Sequence, residues 1–171
     1  METFIALLRA VNVGGTGRLS MAELRKICKD EGLEDAVTYL ASGNIVFRSS
    51  QSVPKIKQRL ERGLIGHFGR SHIDIIIKRV SDVEKIYNRS PYIETPRQHS
   101  YVLFLDEDIN EADLAEIKGQ NDEDITCGAQ EIYVYYPHGM GKSKLVIPQA
   151  KTGTMRNMNT VAKLIEMAQK L

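Results

Sequence analysis

Residues 37–47 read Val-Thr-Tyr-Leu-Ala-Ser-Gly-Asn-Ile-Val-Phe, and this short segment separates the chain from parallel α/β proteins. It predicts a β-hairpin, because two strand-forming runs flank the turn at Ser42, Gly43 and Asn44. In a doubly wound α/β protein, the first of these strands would lead into a second crossover helix instead. The segment therefore predicts an antiparallel sheet.

One predicted helix and one predicted strand lie on each side of the hairpin. Toward the N-terminus, the apolar run at residues 4–8 predicts a buried strand, and Ser20 with Glu23 forms a capping box that begins a helix. Toward the C-terminus, Pro54 marks the first turn of a second helix, and the β-branched run at 73–77 predicts another strand. The order β-α-β-β-α-β is the split βαβ pattern of a ferredoxin-like unit.

The second half of the chain repeats part of this order, although no repeat is visible at the level of single residues. Its predicted elements are strands at 101–105, 124–127 and 132–136, a short helix around 114–117, a loop at 137–156 and a final amphipathic helix around 161–168. The expected fold class is α+β, with two ferredoxin-like (split βαβ) subdomains packed together and mostly antiparallel sheets.

The expected domain limits follow from these elements. The first ferredoxin-like subdomain spans residues 1–80 and the second spans 99–171. Residues 81–98 form a connecting helix and a linker that contains proline. Ser81 and Glu84 predict a second capping box at the start of that connecting helix.

Composition excludes several classes of protein. The 171 residues include 42% hydrophobic residues, enough to bury a core, and the formal net charge is only +1. Such a balanced chain is not steered toward nucleic acid or anionic membranes by its overall field. The apolar run near the N-terminus is too short for a secretory signal, and no segment approaches the roughly 20 apolar residues that span a bilayer. We expect a cytoplasmic protein without a membrane partner.

Cysteine and histidine spacing argues against a metal site. Cys28 and Cys127 are expected to be reduced and buried as small apolar residues, because a disulfide framework needs more cysteines in a shorter chain. The four histidines show no ligand spacing with either cysteine. No metal is therefore predicted.

The first glycine-rich segment, residues 9–18, follows a strand and precedes a helix. Successive free N–H groups in such a loop can hold an anion. The dinucleotide fingerprint is incomplete, because Ser20 takes the place of its third glycine and Leu40 stands where a ribose-binding acid belongs. The segment is either a surface loop shaped by its glycines or a site for an anion or another polar ligand.

The second such segment, residues 139–145, contains Gly141, Lys142 and Ser143 in the order that ends a phosphate-binding loop. The first glycine of that motif is replaced by Tyr136, and Pro148 opposes the helix that should follow. We therefore predict neither a nucleotide-hydrolysing loop nor any cofactor. The simplest alternative is an ordinary hairpin-exit loop that carries two lysines.

The third segment, residues 151–157, lies just before the final helix. Arg156 is near the positive end of the helix dipole, which is unfavourable unless a carboxylate or a bound phosphate lies between them. A salt-bridged arginine that packs the two halves together is the alternative. Asn157 or Asn159 can cap the helix.

Five segments together resemble a known family. They read LLRAVNVGG at 7–15, MAEL at 21–24, YLASGNIVF at 39–47, YPHGMGKSKL at 136–145 and GTMRN at 153–157. In content and order they are similar to a bacterial family catalogued as DUF (domain of unknown function) sixteen-ninety-seven. The resemblance implies two ferredoxin-like halves and no particular activity. Ala10 departs from the pattern, since this family commonly has glycine there, and Ser90 with Pro91 replaces a common Asn-Pro pair.

These observations lead to a functional hypothesis. We expect a binding protein that holds a small anionic ligand, phosphate or nucleotide-like, where the three segments converge across the cleft between the subdomains. The segments combine free N–H groups with cations that include Arg9, Lys142, Lys144 and Arg156, and they contain no carboxylate. The candidate ligand-binding residues are Arg9, Asn12, Gly14, Gly15, Ser42, Asn44, Lys142, Ser143, Lys144, Arg156 and Asn157.

Two alternatives stay open. One is an enzyme, a transferase or hydrolase of unknown substrate, although no side chain has a recognisable activating partner and no catalytic residue is named. The other is an interaction module that binds a protein or nucleic acid, or forms a homodimer, through a sheet surface or edge strand.

Overall fold

The structure is a computed structural model that describes residues 1–12, 18–69 and 71–171. The chain divides into two compact units. The first comprises Met1–Asp82 and Leu164–Leu171, and the second comprises Val83–Lys163. Each unit contains a four-stranded antiparallel sheet, which confirms the predicted α+β class with two subdomains. Within the described residues, no helix is both long enough and apolar enough to cross a membrane.

The first unit has the complete split βαβ topology. Its elements are β1 (Glu2–Leu8), α1 (Met21–Asp30), β2 (Glu34–Tyr39), β3 (Asn44–Ser49), α2 (Val53–Phe68) and β4 (Ile75–Arg79). The strand order is β2-β3-β1-β4, with every neighbouring pair antiparallel. The predicted hairpin at residues 37–47 is present as the antiparallel pair β2 and β3.

Local sequence explains the two helices of this unit. The capping box at α1 is present, with Ser20 and Glu23 each bonding the other's backbone N–H, and Pro54 lies in the first turn of α2. Both helices place one apolar stripe on the sheet. These stripes pack with alternate residues of β1, β3 and β4 in one core cluster. The buried helix residues are Leu24 and Cys28 from α1 and Ile56, Leu60 and Leu64 from α2.

The second unit repeats the strand order with less helix. Its elements include α3 (Val80–Arg89), β5 (Ser100–Phe104), β6 (Asp124–Cys127), β7 (Glu131–Tyr135), β8 (Thr154–Asn157) and α4 (Met158–Ala168). Helix α3 begins in the first unit and α4 ends there. The order β6-β7-β5-β8 matches that of the first sheet. Short 3₁₀ segments at Glu111–Glu116, Met140–Lys142 and Pro148–Lys151 replace the two crossover helices.

Three local predictions differ from the structure. The segment before the final helix was expected to be a loop, but Thr154–Asn157 forms β8 and pairs with β5. The helix expected around 114–117 is the 3₁₀ segment Glu111–Glu116. Helix α3 begins at Val80, so Ser81 lies inside the helix and not at its N-cap. Strand β8 was missed because four residues are too few to show a recognisable alternation of apolar and polar positions. Its partner, β5, lies about 50 positions away in the chain.

Candidate functional site

A cleft of about 500 Å³ opens in the second unit, where two connecting segments meet. One segment leads into β6 and the other follows β7. The side chains that give the cleft its chemistry are Asp122, Glu123, Tyr136, His138, Lys142 and Lys144. All six lie within the second unit, so the cleft is defined by that unit alone.

The segment after β7 is held in a defined shape. Gly139 has a φ of +84°, a conformation that favours glycine, and allows the turn that starts the 3₁₀ segment. The N–H of Lys142 donates to the carbonyl of Gly139 at 3.2 Å. Beyond the turn, Lys118 and Val146 exchange two backbone hydrogen bonds of 3.0 and 2.8 Å. The loop that carries the two lysines is therefore fixed at both ends.

A buried carboxylate supports this loop from below. Glu123 is 5% exposed, and its carboxylate accepts the N–H of Asn121 at 2.8 Å and the hydroxyl of Ser143. The Ser143 hydroxyl in turn accepts the N–H of Leu145 at 3.0 Å. These bonds lower the pKa of Glu123, first through the Asn121 N–H and then through Ser143. Ser143 therefore positions the loop, and its hydroxyl is already engaged on both sides.

The charges at the mouth of the cleft are unevenly paired. His138 Nε2 lies 2.9 Å from a carboxylate oxygen of Asp122, and both side chains are well exposed. Lys142 and Lys144 are also exposed, yet no described residue forms an ion pair or hydrogen bond with either ammonium group. Each acid of the cleft thus has a partner inside the protein, whereas both lysines face solvent without one in the described chain.

An aromatic ring forms one wall of the cleft. Tyr136 is 4% exposed and packs edge-to-face on Tyr101, with 5.4 Å between ring centroids. Burial, with a smaller contribution from the charge of Glu123, raises the pKa of the Tyr136 hydroxyl to about 12. The wall is therefore apolar and neutral at physiological pH.

In the first unit, Arg9 is committed to an ion pair. Its guanidinium lies 2.7 Å from Asp74, and its backbone N–H donates to the Asp74 carbonyl at 3.0 Å. The second oxygen of Asp74 lies 2.6 Å from His72 Nε2. The bonds from His72 and Arg9 outweigh partial desolvation and lower the pKa of Asp74. Arg9 thus joins the end of β1 to the start of β4.

Asn12 and Asn44 hold the neighbouring turn in place. The Asn12 amide donates to the carbonyls of Leu19 and Ala41, and its oxygen accepts the N–H of Leu19. Asn44 is buried and donates to the Tyr39 carbonyl at 2.7 Å and to the Ser42 hydroxyl at 3.1 Å. These contacts give Asn12, Ser42 and Asn44 structural roles.

The turn between β2 and β3 requires glycine. Gly43 has a φ of +76°, and a Cβ there would lie 2.7 Å from side-chain atoms of Leu8 and Val11. The carbonyl of Gly43 accepts the N–H of Leu8 at 2.8 Å. The hairpin is therefore packed directly on the end of β1.

Arg156 is buried on the second sheet. Its guanidinium contacts include the Thr154 hydroxyl at 2.7 Å and the Met155 carbonyl at 2.9 Å, and burial lowers its pKa to about 10. It is paired with Val102, so it points to the sheet face opposite the core cluster that contains Tyr136. Asn157 accepts the N–H of Thr160 at 2.9 Å and caps α4, as the sequence predicted.

With this geometry established, comparison with known proteins adds a family. The description "Protein of unknown function (DUF1697)" applies to a family that matches residues 1–133. The chain belongs to the DUF1697 family. The resemblance found in the sequence is thereby confirmed. The match ends at residue 133, so the segment after β7 that lines the cleft lies beyond it.

Structural comparison finds a similar solved structure over nearly the whole chain. The DUF1697 chain is similar to the conserved bacterial protein SP0830 from Streptococcus pneumoniae, with 25% identity and a TM-score of 0.78. The alignment covers 98% of each chain. No curated protein matches the sequence.

The candidate residues of this DUF1697 protein fall into separate groups. Arg9, Asn12, Ser42 and Asn44 gather at the end of β1 in the first unit, and Lys142, Ser143 and Lys144 gather at the cleft in the second. Gly14 and Gly15 lie outside the described residues. The predicted convergence of all three segments into one site stays a prediction.

Sequence reasoning missed the acidic side of the cleft. Glu123 and Asp122 come from a segment about 20 positions before the lysine loop and were not among the candidates. Tyr136 and His138 stood inside a motif already noted but were given no role. Both stand within a few residues of the lysine loop, which could have marked them as its neighbours. In the described part of the chain, no three or more His, Cys, Asp and Glu residues are grouped so as to hold a metal ion.

Proposed function

We propose that this protein binds a small phosphate-bearing ligand in the cleft of the second unit, with Lys142 and Lys144 as its cationic contacts. The cleft volume, about 500 Å³, lies within the range of small-molecule sites. A fixed loop, an apolar wall and exposed cations are the features that such sites share. The sequence analysis expected a ligand site formed by three segments of the chain. The proposal places the ligand on residues of the second unit alone.

The observation that supports this most directly is the pairing of charges. Glu123 accepts hydrogen bonds from Asn121 and Ser143, and one carboxylate oxygen of Asp122 lies 2.9 Å from His138 Nε2. The ammonium groups of Lys142 and Lys144 have no such partner among the described residues, although they line the same cleft. An anion bound there would receive charge-assisted hydrogen bonds without breaking any existing ion pair.

The direct test is calorimetric titration of the full chain with inorganic phosphate and pyrophosphate at low ionic strength. We expect binding that weakens as salt increases, because the contacts are exposed to solvent. The double substitution Lys142→Ala with Lys144→Ala should weaken binding by about tenfold or more, since each lysine contributes a charge-assisted hydrogen bond.

Lys151→Ala is the matched control, because Lys151 is an exposed lysine of the same unit on a different 3₁₀ segment. It should bind phosphate like the parent protein. If phosphate and pyrophosphate fail to bind, or if the double variant binds as tightly as the control, the proposal is wrong. Circular dichroism of each variant shows whether the fold is retained.

The two alternative functions gain less support from the geometry. An enzyme would be favoured by a desolvated lysine beside a carboxylate, whereas Lys142 and Lys144 are both exposed. An interaction surface would be favoured by exposed tyrosines on the second sheet, whereas Tyr133 is 3% exposed and bonds the Ile86 carbonyl. Neither alternative is therefore proposed.

A further inference from the structure

The cleft is larger than a phosphate group alone would fill, and its lining includes side chains that differ in chemistry from the two lysines. Its volume is about 500 Å³. That volume is within the range of sites that enclose organic ligands. If Lys142 and Lys144 take the phosphate, the remaining space is bounded by Asp122, His138 and Tyr136.

Asp122 is the distinctive group among these three residues. One of its carboxylate oxygens lies 2.9 Å from His138 Nε2, and the side chain is 40% exposed. The other oxygen has no hydrogen-bond donor among the residues that the structure describes. An ionised carboxylate accepts hydrogen bonds and donates none, so the partner that suits this oxygen is a ligand hydroxyl or N–H.

His138 orients this carboxylate. Because Nε2 faces Asp122, the imidazole fixes one oxygen and leaves the other directed elsewhere. The Asp122–His138 pair is exposed to solvent, so the second carboxylate oxygen is accessible to a ligand. Ionised Asp122 also repels a second anion, so it disfavours a ligand with a phosphate at each end.

Tyr136 supplies the third element. Its ring is packed edge-to-face on Tyr101 and is 4% exposed, and the small exposed part is an apolar edge in the lining of the cleft. Sugars combine hydroxyl donors with apolar C–H faces, and carboxylates are used elsewhere to bind ribose hydroxyls. Lysines, an open carboxylate oxygen and a rigid ring in one cleft match a phosphorylated sugar.

From this juxtaposition we infer that the ligand is a sugar phosphate, either free or as part of a nucleotide, with its phosphate at Lys142 and Lys144 and a hydroxyl at Asp122. The inference rests on the proposed phosphate binding and adds the chemical class of the rest of the ligand. Asp122 then selects among phosphate compounds, while the lysines supply affinity for all of them.

The test is calorimetric titration of the full chain with inorganic phosphate, ribose, ribose 5-phosphate and adenosine monophosphate. Ribose 5-phosphate and adenosine monophosphate should each bind about tenfold more tightly than phosphate, as expected for an added hydrogen bond to a charged group. The affinity of adenosine monophosphate relative to that of ribose 5-phosphate shows whether the ligand is a free sugar phosphate or a nucleotide.

Asp122→Asn separates the two proposals. It should weaken ribose 5-phosphate binding by about tenfold, because the charge-assisted bond is lost. It should slightly strengthen phosphate binding, because a negative charge leaves the cleft. Glu107→Gln is the matched control, since Glu107 is an exposed acid of the same unit outside the cleft, and it should change neither affinity.

The outcomes are distinguishable. If phosphate and ribose 5-phosphate bind equally well, and Asp122→Asn affects both alike, the sugar phosphate inference fails while phosphate binding stands. If none of the four compounds binds, both proposals fail. If Asp122→Asn lowers the melting temperature, His138→Gln repeats the selectivity measurement, because it removes the partner of Asp122 and keeps the carboxylate. Unchanged selectivity in His138→Gln would then overturn the orienting role of His138.

Discussion

The two units share one strand order but connect their strands in different ways. In the first unit, the strand connections are the ten-residue helix α1 and the 16-residue helix α2. In the second unit, the first connection is the six-residue 3₁₀ segment Glu111–Glu116. The other is a long segment from Tyr136 to Gly153 with two short 3₁₀ turns.

The sequence explains this difference. Apolar residues at helical spacing and a capping box let the first unit bury one face of each connecting helix. In the second unit, Pro137, Gly139, Gly141 and Pro148 prevent a regular helix from forming. The irregular connection leaves polar side chains at the surface, where they line a cleft. The same strand order is therefore joined by packed helices in the first unit and by an irregular connection that lines a cleft in the second unit.

The largest expected effect tests the difference in packing at equivalent connections. Leu24 on α1 is 0% exposed, whereas Leu114 on the 3₁₀ segment is only partly buried. Leu24→Ala should lower the free energy of unfolding by about 3 kcal/mol, because a buried cavity is left behind. Leu114→Ala should cost about 1 kcal/mol, since less apolar surface is lost and the segment can relax.

Urea unfolding of the full chain, followed by circular dichroism, measures both values. Leu24→Met is the control, because it keeps the side-chain volume and should cost less than about 1.5 kcal/mol. Equal losses for the two alanine variants would show that the 3₁₀ segment packs as tightly as the helix. The comparison between the units would then be incorrect.

Much of the first unit could be predicted from sequence because its signals are local. The capping box of Ser20 and Glu23 spans four positions, and the hairpin at 37–47 is contained in eleven. In contrast, β8 could not be predicted, because Thr154–Asn157 is a strand only through its pairing with β5. A local sequence pattern identifies an element whose signals lie close together in the chain. It misses a strand that forms only by pairing with a distant segment.

The same limit applies to the candidate site. Lys142 and Lys144 were predicted because they stand together in a glycine-containing segment. Glu123 was not, because its contact with Ser143 joins residues 20 positions apart. Arg9 and Asn12 were predicted as ligand contacts because they are polar residues of a glycine-rich motif, but the structure gives them internal partners, Asp74 for Arg9 and two backbone segments for Asn12. Residue type alone does not distinguish a free polar group from one used in folding.

A second prediction concerns the two carboxylates that organise the connections. Glu23 is exposed in the capping box, whereas Glu123 is buried beneath the lysine loop, and hydrogen bonds lower the pKa of both. Glu123→Gln should lower the free energy of unfolding by about 1 kcal/mol at neutral pH, because the charge-assisted bonds weaken. Exposed Glu23 should contribute less.

The pH dependence of this effect has a definite sign. Because the folded-state pKa of Glu123 is below its unfolded value of about 4.3, the stabilisation is fully present above that pH. It is lost as the pH falls through the lower folded-state pKa. The stability difference between the parent protein and Glu123→Gln should therefore shrink from pH 6 toward about pH 3. A difference that stays constant over this range would contradict the role given to the ionised carboxylate.

The smallest expected effect compares how the two units make their sharp turns. One sharp turn of the second unit has glycine, Gly139, where φ is +84° and a Cβ would meet no described atom within 4 Å. The first unit places Ala10 at a φ of +50°, at the position where the family resemblance expects glycine. A left-handed conformation costs a residue with a Cβ roughly 1–2 kcal/mol, and glycine avoids this but loses more chain entropy on folding.

The substitutions should therefore have opposite signs. Ala10→Gly should raise the free energy of unfolding by about 0.5 kcal/mol, because the relief of strain exceeds the added entropy loss of glycine. Gly139→Ala should lower it by about 1 kcal/mol through backbone strain alone, because the site has room for the methyl group. Thermal and urea unfolding of both variants provide the measurement. If Ala10→Gly instead lowers the free energy of unfolding, the explanation by backbone strain is wrong. The Ala10 methyl group or the shape of its turn would then stabilise the first unit.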